Sequence, residues 1–283
     1  MSGGDADACG LDRWLAPFLS VLGRKTRRVW APLYLRGLLG PGDRKSLQPM
    51  AERLGLGGHD QLQHFVASTA WDDGPLWTAL AREADRLVGG PGACLVIDDT
   101  ALPKKGTLSV GVARQYCGQL GKRANCQSLV SLTLAQGEVP VPVGLRLFLP
   151  DEWIGDAVRC TRAGVPAAEM VARSKGEIAL AELDRVRAAG ARFGMVLADA
   201  GYGTSAAFRH GLDARGLSWA ELPKVPAAQR LEWQRRGWAL PRTRRSTRPT
   251  CSSYRRVDAR ASWCRTRSRR RPRRCWRRCA GSG

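Results

Sequence analysis

Two short apolar runs about a hundred positions apart, each closed by aspartate, constrain this chain most. Ala93-Cys94-Leu95-Val96-Ile97 runs into Asp98-Asp99, and Phe193-Gly194-Met195-Val196-Leu197-Ala198 runs into Asp199. A continuous apolar run of this length reads as a strand buried on both faces. In a mixed sheet, functional sites form outside the carboxyl ends of such strands, so Asp98 and Asp199 are expected side by side. Successive strand residues alternate in face, so one of Asp98 and Asp99 points at the site. Asp98, which shares a face with Val96, is preferred as the first acid, with Asp99 as the alternative.

The remaining pattern divides the chain. Residues 1–90 read as a helical N-terminal domain. Leu11, Trp14, Leu15, Phe18, Leu19 and Leu22 recur at helical spacing. Further helices are expected at 29–39, 46–56 and 61–70 and around Leu76, Leu80, Ala84 and Leu87, with Gly40-Pro41-Gly42 as a stop. Basic residues punctuate this part (Arg24, Lys25, Arg27, Arg28, Arg44, Lys45) and could meet DNA phosphates or simply face solvent. Gly89-Gly90-Pro91-Gly92 reads as a hinge. From 91 to 230 the fold class is α/β, a mixed sheet with flanking helices. Extended segments are expected at 108–113, 128–134, 143–149 and 217–222. A capping box of Ser174 and Glu177 opens a helix with an inward stripe of Ile178, Ala181, Leu183 and Val186, stopped by Gly190. Gly201-Tyr202-Gly203 reads as a loop, and Thr204 as the cap of a short helix.

The net charge of +21 is unevenly placed. Residues 242–283 hold sixteen arginines, no lysine and one acid, Asp258, while residues 1–241 hold thirty bases against twenty-four acids. Such a tail cannot bury enough apolar area to offset chain entropy, so 231–283 is expected to be disordered. No apolar run approaches the roughly 20 residues of a membrane span, and the polar start lacks the pattern of a signal peptide. The expectation is a cytoplasmic protein with reduced cysteines, Cys117, Cys126 and Cys160 among them as buried apolar side chains.

Two neighbouring aspartates repel unless a cation lies between them. Mg²⁺ takes oxygen ligands from one or two carboxylates plus substrate phosphates, and a metal pair can clamp the attacking and leaving oxygens of a phosphodiester. An aspartate at a strand end can equally be a plain helix cap or turn former.

The block Ile97-Asp98-Asp99-Thr100-Ala101-Leu102-Pro103-Lys104-Lys105-Gly106, then Ser109-Val110-Gly111-Val112-Ala113-Arg114-Gln115-Tyr116-Cys117-Gly118 and Asn125-Cys126-Gln127, resembles the core of insertion-sequence transposases of the DDE superfamily. Phe148-Leu149-Pro150-Asp151-Glu152-Trp153 and Ala198-Asp199-Ala200-Gly201-Tyr202-Gly203 continue the resemblance in order. It implies a ribonuclease H-like core, Mg²⁺ (or Mn²⁺ in its place) on Asp98 and Asp199 as catalytic and metal-binding residues, and cutting and joining of double-stranded DNA at element ends. It also implies a nucleoid-associated protein, open to homo-oligomerisation, with no membrane or small-molecule substrate. Within it, Lys104, Lys105, Arg114, Lys122 and Arg123 are candidate DNA-phosphate contacts, whereas Gln115, Tyr116, Asn125 and Gln127 could contact DNA or brace the hairpin. Tyr202 is expected to pack rather than react.

The family pattern also calls for a third acid, a glutamate on a later helix. Glu221 and Glu232 come too early for it, and Asp258 lies in the arginine tract. A shift of reading frame near 235–245 would account for both the arginine tract and the missing glutamate. Without that third acid the chain is expected to bind DNA but not to catalyse transposition, and the alternative to an enzyme is a non-catalytic DNA-binding fragment that interferes with an intact transposase.

Overall fold

The structure of the chain is a computed structural model that describes residues 3–67 and 72–222. The arginine-rich segment, with the expectations of disorder and of a frameshift there, lies outside the described residues.

The first part is helical, as its periodicity implies: α1 (Gly3–Val21), α2 (Lys25–Leu39), α3 (Leu47–Arg53) and α4 (Asp60–Ala67). Leu15 and Leu22 of α1 are buried, but Trp14, expected inward, is half exposed and leans on Phe18 instead. Met50 and Ala51 of α3 and Leu62 of α4 are buried against Trp30 and Tyr34 of α2. Gly37 makes the α2–α3 contact feasible, since a Cβ there would fall 2.2 Å from Met50 Cγ. The stop at Gly40 is realised by its N–H donating to the Arg36 carbonyl, with Gly42 at positive φ.

Helix α5 (Gly74–Val88) turns Ala79, Ala81, Ala84 and Val88 inward, while Leu87, expected on that face, is exposed. Small residues win here because Ala84 and Val88 pack directly on the sheet core. The glycine run after α5 is a joint rather than a hinge. Gly89 N–H donates to the Asp85 carbonyl, Gly90 adopts φ +136 and pairs with Arg192, and strand β1 (Gly90–Pro103) begins at once. Asp85 accepts from both the main-chain N–H and the guanidinium of Arg192, so the joint is fastened from both sides. Arg192 holds the Asp85 carboxyl below its ordinary pKa.

The sheet also contains β2 (Ala113–Cys117), β3 (Lys122–Gln136), β4 (Val139–Leu147), β5 (Phe193–Asp199) and β6 (Trp219–Leu222). Its order is β2-β3-β1-β5-β6, with β4 paired to β3. Pairings of β3 with β1, β2 and β4 are antiparallel, and β1–β5 and β5–β6 are parallel. This is the mixed sheet with flanking helices expected from the sequence. Of the segment expected to be extended at 108–113, residues 108–112 are not a strand and Ala113 opens β2. The segment turns at Gly111 (φ +75), where a Cβ would fall 2.9 Å from the Phe148 carbonyl oxygen, and Leu108 is exposed. Between β4 and β5 come α6 (Asp151–Ile154), α7 (Ala157–Arg162) and α8 (Lys175–Ala188). The capping box of α8 is present, with Ser174 and Glu177 bonded reciprocally. Its inward face is Ile178, Ala179, Glu182, Leu183 and Val186, so Ala181 yields its place to Ala179 and Glu182. Glu182 is buried because Arg146 and Arg185 both bond to it. Beyond β5, the expected loop at 201–203 is the helical turn α9 (Ala200–Gly203), and Ser205 rather than Thr204 caps α10 (Ala206–Ala214).

Cys94, Cys117, Cys126 and Cys160 are free thiols and buried, as small apolar side chains would be. Burial raises the pKa of Cys94 and Cys126. Among the described residues, no helix is long and apolar enough to cross a membrane.

Candidate active site at the ends of two parallel strands

The parallel pairing of β1 with β5 places Leu95 beside Val196, Val96 beside Leu197 and Ile97 beside Ala198. The next residue on each strand is an aspartate, Asp98 on β1 and Asp199 on β5. Neighbouring strands lie about 4.8 Å apart, so the two aspartates occupy adjacent positions at the same edge of the sheet. The apolar runs produce this arrangement, because both strands must be buried over the same length for their carboxyl ends to coincide.

Asp98 and Asp99 divide as alternation requires. Asp98 Oδ1 accepts the main-chain N–H of Asp99 at 2.7 Å, and its carbonyl accepts from Ser131 Oγ. Asp99 reaches the opposite way, toward α8 and α9, where Oδ2 accepts from Lys175 Nζ and Oδ1 accepts from the Tyr202 hydroxyl at 2.7 Å. Asp199 is the N-cap of α9 and accepts from Tyr202 N–H at 3.2 Å. Tyr202 therefore touches two of the three carboxylates with its two ends. It is buried and packs on Phe208, as expected of a packing residue. Burial first, then the charge of Asp99 and its hydrogen bond, push the phenol pKa well above its ordinary value, and Asp199 and Asp98 add to the shift.

Lys175 and the Tyr202 hydroxyl escape sequence reasoning. Lys175 immediately follows the capping residue Ser174, so the capping box fixes where its ammonium starts, but nothing in the spacing announces Asp99, 76 positions earlier, as its partner. Glu221 of β6, beside Ala198 in the sheet, lies against Gly203, where a Cβ would fall 2.7 Å from its side chain. Among the described residues, no group of three or more His, Cys, Asp or Glu side chains is arranged to hold a metal ion.

The five cations expected to contact DNA lie on and beside the β2–β3 hairpin. Arg114 pairs with Asn125 and Tyr116 with Arg123 on its exposed face, whereas Lys122 pairs with the buried Cys117 at its end. Lys104 and Lys105 sit in the loop after β1, tied over the hairpin by the Asn125 amide, which donates to the carbonyls of Lys104 and Gly106. Gln115 donates to the Gly111 and Cys126 carbonyls, and Gln127 to that of Val110. These three amides brace the hairpin. The loop is closed from below by Trp153 of α6, buried and donating to the Val112 carbonyl, and by Arg159 of α7, which lies over the Trp153 ring and donates to the Thr107 carbonyl.

A family model described as DDE superfamily endonuclease matches residues 17–282, a span that runs past the change of composition near 241. The probable transposase for insertion sequence element IS701 of Microchaete diplosiphon is 30% identical over 171 residues, 60% of this chain and 41% of that protein. The chain thus covers less than half the length of this relative. With nearly its whole length inside the family match, the chain belongs to the DDE superfamily endonucleases.

Proposed function

We propose that this chain carries a transposase-type site for DNA strand cleavage and transfer at insertion-sequence ends, with Asp98 and Asp199 as its acidic pair. The observation that carries the reading is the β1–β5 register, which brings both aspartate-bearing strand ends to one edge of the sheet. Carboxylate oxygens are hard donors, and two of them fit one divalent cation of the Mg²⁺ type, with Mn²⁺ as a substitute. When bound, such an ion stabilises charge on the scissile phosphate and lowers the pKa of an attacking water. The residues' own part is to hold the strand ends in register, through the buried ladder and the α9 cap, and to draw DNA in with the cations around 104–123. A second acid assignment, Asp99 with Asp199, is favoured by a separate observation, namely that Tyr202 bonds to both of them.

The runner-up function, a DNA-binding fragment without catalysis, is favoured by the sequence after Glu232, where the one acid is Asp258 in the arginine tract. The two readings separate in an assay of the purified chain with Mg²⁺ or Mn²⁺ on DNA carrying the element's own ends. End-specific cleavage abolished by Asp199→Ala supports the transposase. Binding without cleavage, with similar affinity for unrelated DNA, supports the fragment.

A further inference from the structure

We infer that Tyr116 is a stacking platform for an unpaired DNA base, an assignment that rests on the DNA reading above. Four residues of the hairpin could have served either DNA or the fold. Gln115, Asn125 and Gln127 spend their amides on carbonyls of residues 104–126. Tyr116 is the remaining one, and it is 65% exposed. A tyrosine needed for packing would be covered, as Tyr202 is.

Its surroundings match a nucleic acid. Tyr116 stands opposite Arg123, two positions along the same face from Arg114, with Arg123 donating to the Arg114 carbonyl at 2.8 Å. The loop carrying Lys104 and Lys105 is tied to that face by Asn125, the partner of Arg114. Residues 100–137 contain five basic side chains and no Asp or Glu, so nothing in the segment neutralises them. A duplex backbone would engage the cations and leave the ring idle. A strand with a splayed base engages both, which is the combination of basic groove and aromatic platform used for single strands. DNA opened at a cut or frayed end supplies such a base.

The test uses the full chain and three fluorescent probes: a blunt duplex, the same duplex with a short single-stranded tail, and that duplex with abasic sites in the tail. Wild type should bind the tailed probe more tightly than the blunt one and lose the difference on the abasic tail. Tyr116→Ala should weaken binding to the tailed probe about fivefold or more and leave the blunt duplex unchanged, while Tyr116→Phe keeps the preference. An equal loss on blunt and tailed probes, or Tyr116→Phe failing like Tyr116→Ala, overturns the platform. Cleavage is not needed for this readout. Binding measured in the presence of a chelator should show the same preference, so a failure of the catalytic reading is seen separately.

Discussion

The hydroxyl of Tyr202 donates to Asp99 Oδ1 at 2.7 Å while the Tyr202 ring is buried. This bond fixes one carboxylate of the strand-end cluster from below, and Lys175 fixes its other oxygen. The phenol is held neutral by burial and by the negative charges around it. In the unfolded chain a tyrosine ionises near pH 10. The folded state therefore retains a proton that the unfolded state releases, and stability falls as pH rises above about 10.

Tyr202→Phe should cost about 1.5–3 kcal/mol at neutral pH, the range for a hydrogen bond to a charged group. It should also flatten the loss of stability above pH 10 relative to wild type. Urea unfolding at pH 7 and at several values above 10 measures both. An alkaline slope unchanged by the substitution would show that the phenol does not stay protonated as described.

Gly194 sits near the start of β5, where a Cβ would fall 2.2 Å from the Pro91 carbonyl oxygen on β1. The neighbour is backbone and cannot swing away. Gly194→Ala should thus push apart the two strands that align Asp98 and Asp199, at about 1–3 kcal/mol in stability, typical of overpacking. Divalent-ion affinity should fall with it. An alanine variant as stable as wild type would mean that the β1–β5 approach is looser than the structure has it.

Glu182 is buried on α8 between Arg146 and Arg185, and Arg185 also donates to the Val143 carbonyl. Removing its charge leaves two guanidinium groups facing each other across the α8–β4 contact. Glu182→Gln should destabilise by about 1.5–3 kcal/mol, the range for hydrogen bonds to a charged group, because both arginines keep some access to solvent. Chemical denaturation of wild type and variant decides it, and a change below 1 kcal/mol would contradict the buried-pair account.

The cations of the hairpin should show in salt dependence. Each phosphate neutralised contributes about 0.9 to the slope of log affinity against log salt on B-DNA. The double variant Lys104→Ala, Lys105→Ala should therefore lower that slope by about 2 if both lysines contact phosphates. A slope equal to wild type would return both residues to solvent.

The sheet was legible in the sequence because its two central parallel strands are apolar on both faces, end in aspartate and are too short for a buried helix. The capping box at Ser174 and Glu177 was legible because it depends on four consecutive positions. The turn at 108–113 was not, since its conformation is set by Gly111 approaching the Phe148 backbone, a contact between distant segments. The inward place of Glu182 was likewise hidden, because its burial depends on arginines from β4 and from its own helix. At the site, the strand-end aspartates could be read from the chain. The tie of Asp99 to Lys175 and Tyr202 could not, because it joins side chains 76 and 103 positions apart.

The proposed acidic pair requires Asp98 and Asp199 to share a divalent cation. Mn²⁺ titration of the full chain, followed by electron paramagnetic resonance, tests it without relying on turnover. One bound ion per chain is expected in wild type and in Asp99→Asn, and its loss in both Asp98→Asn and Asp199→Asn. Loss in Asp99→Asn with retention in Asp98→Asn would move the first acid to Asp99, and undiminished binding in Asp199→Asn would contradict the claim.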